Sequence, residues 1–253
     1  MNLSAVSIGL PGATAPRVLR ELAPHIERLG FRGLWLNDTP TGDSLAGLAV
    51  AAGVTSGLRL GTGVIPLDRR SPAKISSRLA DLPLERVTIG IGSGGPRDAL
   101  RRVGEGIDVL APRVDLLVGA LGPRMRRLGA ERANGILLNW LTPATAAQAM
   151  ADLHRDAAGR PVRGVLYART IVDPGALPAL RKEAAGYQGS GSYAANFERL
   201  GITALDSTID GTTGLPERIG QYTTAVDELV LRVVTTTTTI GDYQRFIEAV
   251  AAA

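Results

Sequence analysis

The sequence has no cysteine and only two histidines, His25 and His154. The first absence excludes disulfides, thiolate metal sites and cysteine nucleophiles. The second argues against a multi-histidine metal centre. Aromatic residues make up 4% of the chain, and no basic block is interleaved with them. The 28 lysines and arginines therefore read as scattered, solvated charge against 24 acidic residues, not as a nucleic-acid face. No apolar run approaches the ~18 residues that a membrane span requires. Met1-Asn2-Leu3-Ser4 is not a basic segment leading into an apolar one, so no secretory signal is read and a cytoplasmic location is expected.

What is present is alternation. Short apolar runs are separated by longer amphipathic stretches. The runs are Leu3–Leu10, Gly33–Asn37, Leu58–Ile65, Val87–Gly92, Arg113–Val118, Gly135–Trp140, Val162–Val172 and Glu228–Thr235. Several are apolar on both faces, as strands of a buried parallel sheet should be. The stretches between them carry helix signals. Pro16 opens a pattern through Leu19, Leu22, Ile26 and Leu29 that Gly30 closes. Asp43 caps a helix from Ser44, and Ser71-Pro72 starts another. After the seventh run a long helical region, roughly 176–226 by this pattern, is broken at Gly189–Gly191 and Asp210–Gly214. Thr235–Thr239 is read as running from the eighth strand into its loop. Eight strand–helix units in 253 residues predict an α/β fold, one (β/α)8 TIM barrel spanning 1–253. An open doubly wound sheet is the alternative.

In such a barrel, function sits at the C-terminal strand ends. Those ends carry Asp38, Gly63-Val64, Ser93–Gly95, Gly119–Gly122, Asn139-Trp140, Arg169 and Arg232. Val118–Met125 runs from a strand through small residues into a helix opened by Pro123. Small residues let backbone amides approach an anion, and a helix N-terminus favours negative charge. A phosphate cradle and a plain tight turn account for it equally well. His25 and His154 both fall in helices away from the strand ends, which argues against catalysis by either.

Several segments, in order along the chain, resemble the luciferase-like monooxygenase superfamily, and its deazaflavin-dependent branch in particular. They are Glu27–Asp38, Leu60–Pro66 with Arg70–Pro72, Thr88–Gly94, Val118–Met125 with Ala133–Asn139, Tyr193–Gly201, and Val226–Val230. The resemblance implies an oxidoreductase that moves hydride between a bound cofactor and a small organic substrate. The cofactor it implies is coenzyme F420, with FMN as the alternative. It places Asp38, Thr62, Gly63 and Val64 near the ring system, with a non-prolyl cis peptide at Gly63-Val64. Gly119, Ala120, Leu121 and Gly122 would hold the phosphate. Thr39, Asn139 and Trp140 would face the substrate, and a homodimer is implied.

Two departures from the family pattern stand out. Thr39 occupies a position where relatives often carry histidine, and Ser93–Gly95 replaces a glutamate found in some of them. No residue is put forward as the general acid or base. Relatives also carry a substantial insertion before strand five, whereas here Ala111-Pro112 leads almost directly into that strand. The substrate pocket is then either open or completed by a partner chain. A cofactor-binding protein without turnover is the second reading.

Overall fold

The computed structural model describes residues 2–253. Its strands are β1 (Val6–Pro11), β2 (Gly33–Asn37), β3 (Arg59–Pro66), β4 (Val87–Gly92), β5 (Asp115–Gly119), β6 (Gly135–Asn139), β7 (Arg163–Ile171), β8 (Ile209–Asp210) and β9 (Glu228–Val233). Its main helices are α1 (Pro16–Arg28), α2 (Ser44–Ala52), α3 (Pro72–Arg78), α4 (Ala99–Leu110), α5 (Pro123–Arg132), α6 (Pro143–Ala157), α7 (Leu177–Gln188), α8 (Gly191–Leu200), α9 (Leu215–Thr223) and α10 (Ile240–Ala251). Every strand pairing is parallel. The order runs β6-β5-β4-β3-β2-β1-β9-β7, and β6 pairs with β7 to close the ring. The fold is a (β/α)8 barrel.

The helices form for the reasons the sequence suggested. Pro16 begins α1, whose Leu19, Leu22 and Ile26 face the barrel. The Asp43 carboxylate caps α2 by accepting from the Ala46 amide, and the Ser71 hydroxyl caps α3 by accepting from Lys74. The main core lies between the outer faces of the strands and the helices. A second cluster fills the barrel interior with Trp35, Leu117, Leu137, Val165, Tyr167 and Val230. Trp35 and Tyr167 meet edge to face at 6.1 Å, a favoured aromatic geometry.

Below this cluster the barrel base is polar. Glu228, 3% exposed, accepts from Ser7 Oγ at 2.6 Å, Trp35 Nε1 at 2.6 Å and Arg32 Nε at 3.0 Å. Beside it Arg163 donates to Asp115 at 2.8 Å and to Thr88 Oγ1 at 2.9 Å. These bonds satisfy groups that burial would otherwise penalise.

Four boundaries differ from expectation. Leu3–Ala5 is a 3-10 turn, so β1 starts at Val6. β5 starts at Asp115, because Arg113 and Val114 complete the turn after α4 by donating to the Leu110 carbonyl. The region after β7 contains α7, α8, α9 and the short β8, which pairs with Thr170 and Ile171 beyond the reach of β6. The threonine run lies wholly in the loop after β9. Its Thr239 caps α10, and the Thr237 and Thr239 hydroxyls both donate to Asp242. Only four residues separate α4 from β5, so no inserted element stands there.

Candidate active site

A cavity of about 630 Å³ opens at the C-terminal ends of the strands. It is polar at its edges and apolar on one wall. That wall is built from β3, β4 and β5. The peptide between Gly63 and Val64 is cis, and the register of β3 against β4 shifts between Thr62 and Ile65. The Val64 side chain projects between two glycines. A Cβ on Gly92 or on Gly119 would stand 2.8 Å from it, closer than real side chains approach. Glycine at both positions thus makes room for the Val64 wedge.

The Gly119–Gly122 segment forms the next part of the rim. Gly122 is the N-cap of α5, and no side chain caps that helix. Arg126 is buried and donates to the Leu121 carbonyl at 2.9 Å, which fixes the loop from behind. On the opposite side, β7 and β9 bring Arg169 and Arg232 into register. Arg169 is nearly enclosed. It donates to Asn139 Oδ1 and, through Nε, to Glu183 at 3.0 Å. Its guanidinium lies 3.9 Å above the Trp140 ring and 4.9 Å from that of Tyr187. Tyr193 packs edge to face on Tyr187 at 4.7 Å.

Two cavity-lining residues have buried polar atoms without a protein partner, Asn37 Oδ1 and Tyr167 Oη. Burial pushes the Tyr167 phenol well above its ordinary range, so it remains protonated. Burial, helped by Tyr187, also raises Tyr193. The two carboxylates on the wall are both occupied. Asp38, 5% exposed, pairs with Arg70 at 3.2 Å and accepts from Ser44 Oγ at 3.0 Å. Glu183 is held by Arg169.

Most of the residues expected at the site do line this cavity: Asp38, Gly63, Val64, Gly119, Ala120, Leu121, Gly122 and Asn139. Three do not. Thr62 is fully buried, and its hydroxyl both donates to the Gly90 carbonyl at 3.2 Å and accepts from the Gly90 amide at 2.9 Å. It ties β3 to β4 where the register shifts. Thr39 turns away, and its hydroxyl packs beneath Gly42. Trp140, 1% exposed with φ +56°, sits beneath Arg169 as its platform. Its backbone turn rotates the side chain out of the site and against Phe197. Neither histidine reaches the cavity, and His25 instead approaches Glu248 on α10.

Other wall residues were not singled out from the sequence: Asn37, Tyr167, Glu183, Tyr187 and Tyr193. Tyr167 had a usable signal, because it alternates with Val165 and Arg169 on the inward face of β7. Tyr187 and Tyr193 flank the Gly189–Gly191 break, which folds α7 and α8 together over Trp140. A second hollow of about 440 Å³ lies among α4, α5 and α6 and reaches the first turn of α5 at Pro123 and Arg124. Its charges are largely paired with one another, Arg155 with Asp152 at 2.9 Å and Arg127 with Asp156 at 3.8 Å. Among the described residues no cluster of acidic and histidine side chains is placed to hold a metal ion, and no helix is long and apolar enough to cross a membrane.

Known proteins share this architecture. A solved F420-dependent secondary alcohol dehydrogenase, bound to an F420-acetone adduct, superposes with a TM-score of 0.71 at 16% identity over 97% of this chain and 98% of that one. The oxygenating constituent of 3,6-diketocamphane monooxygenase from Pseudomonas putida, in complex with FMN, gives 0.65 at 13% identity over 98% and 97%. In sequence, 4-hydroxyprotoasukamycin monooxygenase of Streptomyces nodosus subsp. asukaensis is 33% identical over 121 residues, a match spanning 40% of this chain and 32% of that protein. The profile of the luciferase-like monooxygenase family matches residues 3–115 and 108–253, so the chain belongs to that family.

Proposed function

We propose that this chain is an oxidoreductase that holds coenzyme F420 across the cavity and transfers hydride between it and a small organic substrate. FMN is the alternative cofactor. The observation that supports the reading most is the cavity wall itself. The Val64 wedge gives an apolar surface, and Asn37 and Tyr167, whose Oδ1 and Oη have no protein partner, line the same cavity. That combination suits a heteroaromatic ring with polar edges. The F420 and FMN complexes of the structural neighbours point to the same class of ligand. The Gly119–Gly122 rim and the uncapped start of α5 would hold the cofactor phosphate. When bound, the deazaflavin supplies the hydride chemistry, while the protein supplies orientation and exclusion of water.

One observation favours a second reading, cofactor binding without turnover. The wall has no histidine, and both of its carboxylates are tied into ion pairs. Besides arginines, the proton-bearing side chains that remain on that wall are the hydroxyls of Ser93 and Ser192 and the phenols of Tyr167, Tyr187 and Tyr193, of which burial keeps Tyr167 and Tyr193 protonated. Titration of the purified chain with F420 and with FMN, followed by absorbance and fluorescence, tests both readings. Binding of neither cofactor refutes them together. Binding of F420 without redox turnover across a panel of alcohols, aldehydes and ketones selects the second.

A further inference from the structure

Two carboxylates, Asp38 and Glu183, and two guanidiniums, Arg169 and Arg232, line the cavity, but only one of those arginines makes an ion pair with a lining carboxylate. Asp38 is neutralised by Arg70 and Glu183 by Arg169. Arg232 is left over, since among the described residues it pairs with no carboxylate. The hydrogen bond the structure gives it runs from Nη1 to the neighbouring Val233 carbonyl. That leaves Nε and Nη2, the flat edge of a guanidinium that grips a carboxylate with two parallel bonds. Burial works against the Arg232 charge. Glu183 supports it in part, and Arg169 opposes it further. A cation held in a wall with its bidentate edge unused is an unmet demand for an anion.

The place of this cation separates it from the expected phosphate site. Gly119–Gly122 follows β5, and Arg232 lies on β9, with β6 and β7 between them around the ring. The two anion-favouring features thus stand across the mouth from one another.

We propose that Arg232 is a substrate-binding residue and that the substrate class of this site is a small organic carboxylate. The proposal takes the site of the preceding section as its frame and adds the charge of the substrate. Arg169 cannot take the same role alone, because its Nε and Nη1 are committed to Glu183 and Asn139. Its free Nη2 can supplement Arg232 from the paired strand. Trp140 and Tyr187 hold Arg169 in place from below.

The test uses the full chain with benzoate, acetate and glutarate as probes, and benzamide, acetamide and glutaramide as neutral counterparts. Binding is measured by calorimetry without cofactor, and F420 affinity separately by fluorescence. The expected result is that at least one carboxylate binds at least about tenfold more tightly than its amide. R232Q should weaken that carboxylate by about ten- to a hundredfold, the loss expected for charge-assisted hydrogen bonds. R232K should recover part of the affinity, since it restores the charge but not the bidentate edge. F420 affinity should stay within about threefold in both variants, because the phosphate loop lies elsewhere. Circular dichroism checks that each variant is folded.

If no carboxylate binds, or if R232Q binds the probe as wild type does, the proposal is overturned. Loss of F420 affinity equal to the loss of carboxylate affinity also overturns it, by assigning Arg232 to the cofactor phosphate. If wild type binds a carboxylate through Arg232 but neither F420 nor FMN, the cofactor reading fails and the carboxylate site stands.

Discussion

Replacing Gly122 by aspartate should move stability and ligand affinity in opposite directions. Gly122 has φ −95° and ψ 164°, which any residue adopts, and a Cβ there would meet nothing within 4 Å. The substitution therefore fits without strain. Gly122 is also the N-cap of α5, where no side chain now accepts a hydrogen bond. An aspartate there can accept from the first-turn amides and complements the helix dipole. The gain is about 0.3–1 kcal/mol, or about 1–4 °C in Tm for a chain of this size. The effect on an anion held by the same amides is the reverse. A carboxylate about 5 Å from a phosphate repels it by ~3 kcal/mol at an effective dielectric of 20, and by less than 1 kcal/mol in bulk water. F420 affinity should then fall by about 5- to 150-fold. Thermal unfolding by circular dichroism gives the first quantity, and fluorescence titration with F420 gives the second. A variant with raised Tm and unchanged F420 affinity would show that this loop holds no phosphate. A variant with lowered Tm would refute the structural half of the reasoning.

Further expectations concern the barrel interior. E228A should cost about 3–5 kcal/mol, because it orphans Trp35 Nε1 and Ser7 Oγ in the barrel base; E228Q keeps one acceptor and should cost about 1–2 kcal/mol. Equal losses in urea denaturation would assign the effect to the Arg32 ion pair, which is 38% exposed on its arginine side and so contributes little. G61A should destabilise by about 1–3 kcal/mol, since its Cβ would overlap the buried Trp35 ring, and an unchanged midpoint would count against the packing described. Asp115 is raised by burial, but hydrogen bonds from Arg163 and Thr88 and the nearby positive charges outweigh this and hold it below the usual range. Its contribution is therefore present above about pH 4 and is lost as pH falls through the lowered value. D115N should be less stable at neutral pH and lose stability less steeply on acidification, and an unchanged slope in an acid titration would refute the assignment.

The fold was legible because its signals are local. Pro16 and Gly30 bracket α1, Asp43 and Ser71 cap α2 and α3, and the apolar runs mark each barrel strand. The misplaced edges have physical reasons that composition does not carry. Thr235–Thr239 has strand propensity, but its hydroxyls are used to cap α10, and capping wins over extension. β8 is two residues long and exists because β7 outruns β6. No periodicity test detects an element of that length.

The site was legible where backbone shape defines it and not where side chains converge. Gly63, Val64, Gly119 and Gly122 were recognisable as glycine-flanked strand ends, and they line the cavity. Trp140 was expected to face the substrate, whereas it lies outside the cavity lining and beneath Arg169. What it supports there is Arg169, which in turn engages Glu183. This pairing decides the electrostatics of the pocket. Arg169 and Arg232 look equivalent in sequence, each an arginine at a strand end. They differ because Glu183 on α7 forms an ion pair with Arg169 and reaches Arg232 only through its field. A long-range contact between a helix and a strand thus turns two like residues into a structural ion pair and an unpaired cation. That asymmetry, more than the barrel, is what gives the cavity a preference for the charge of its ligand.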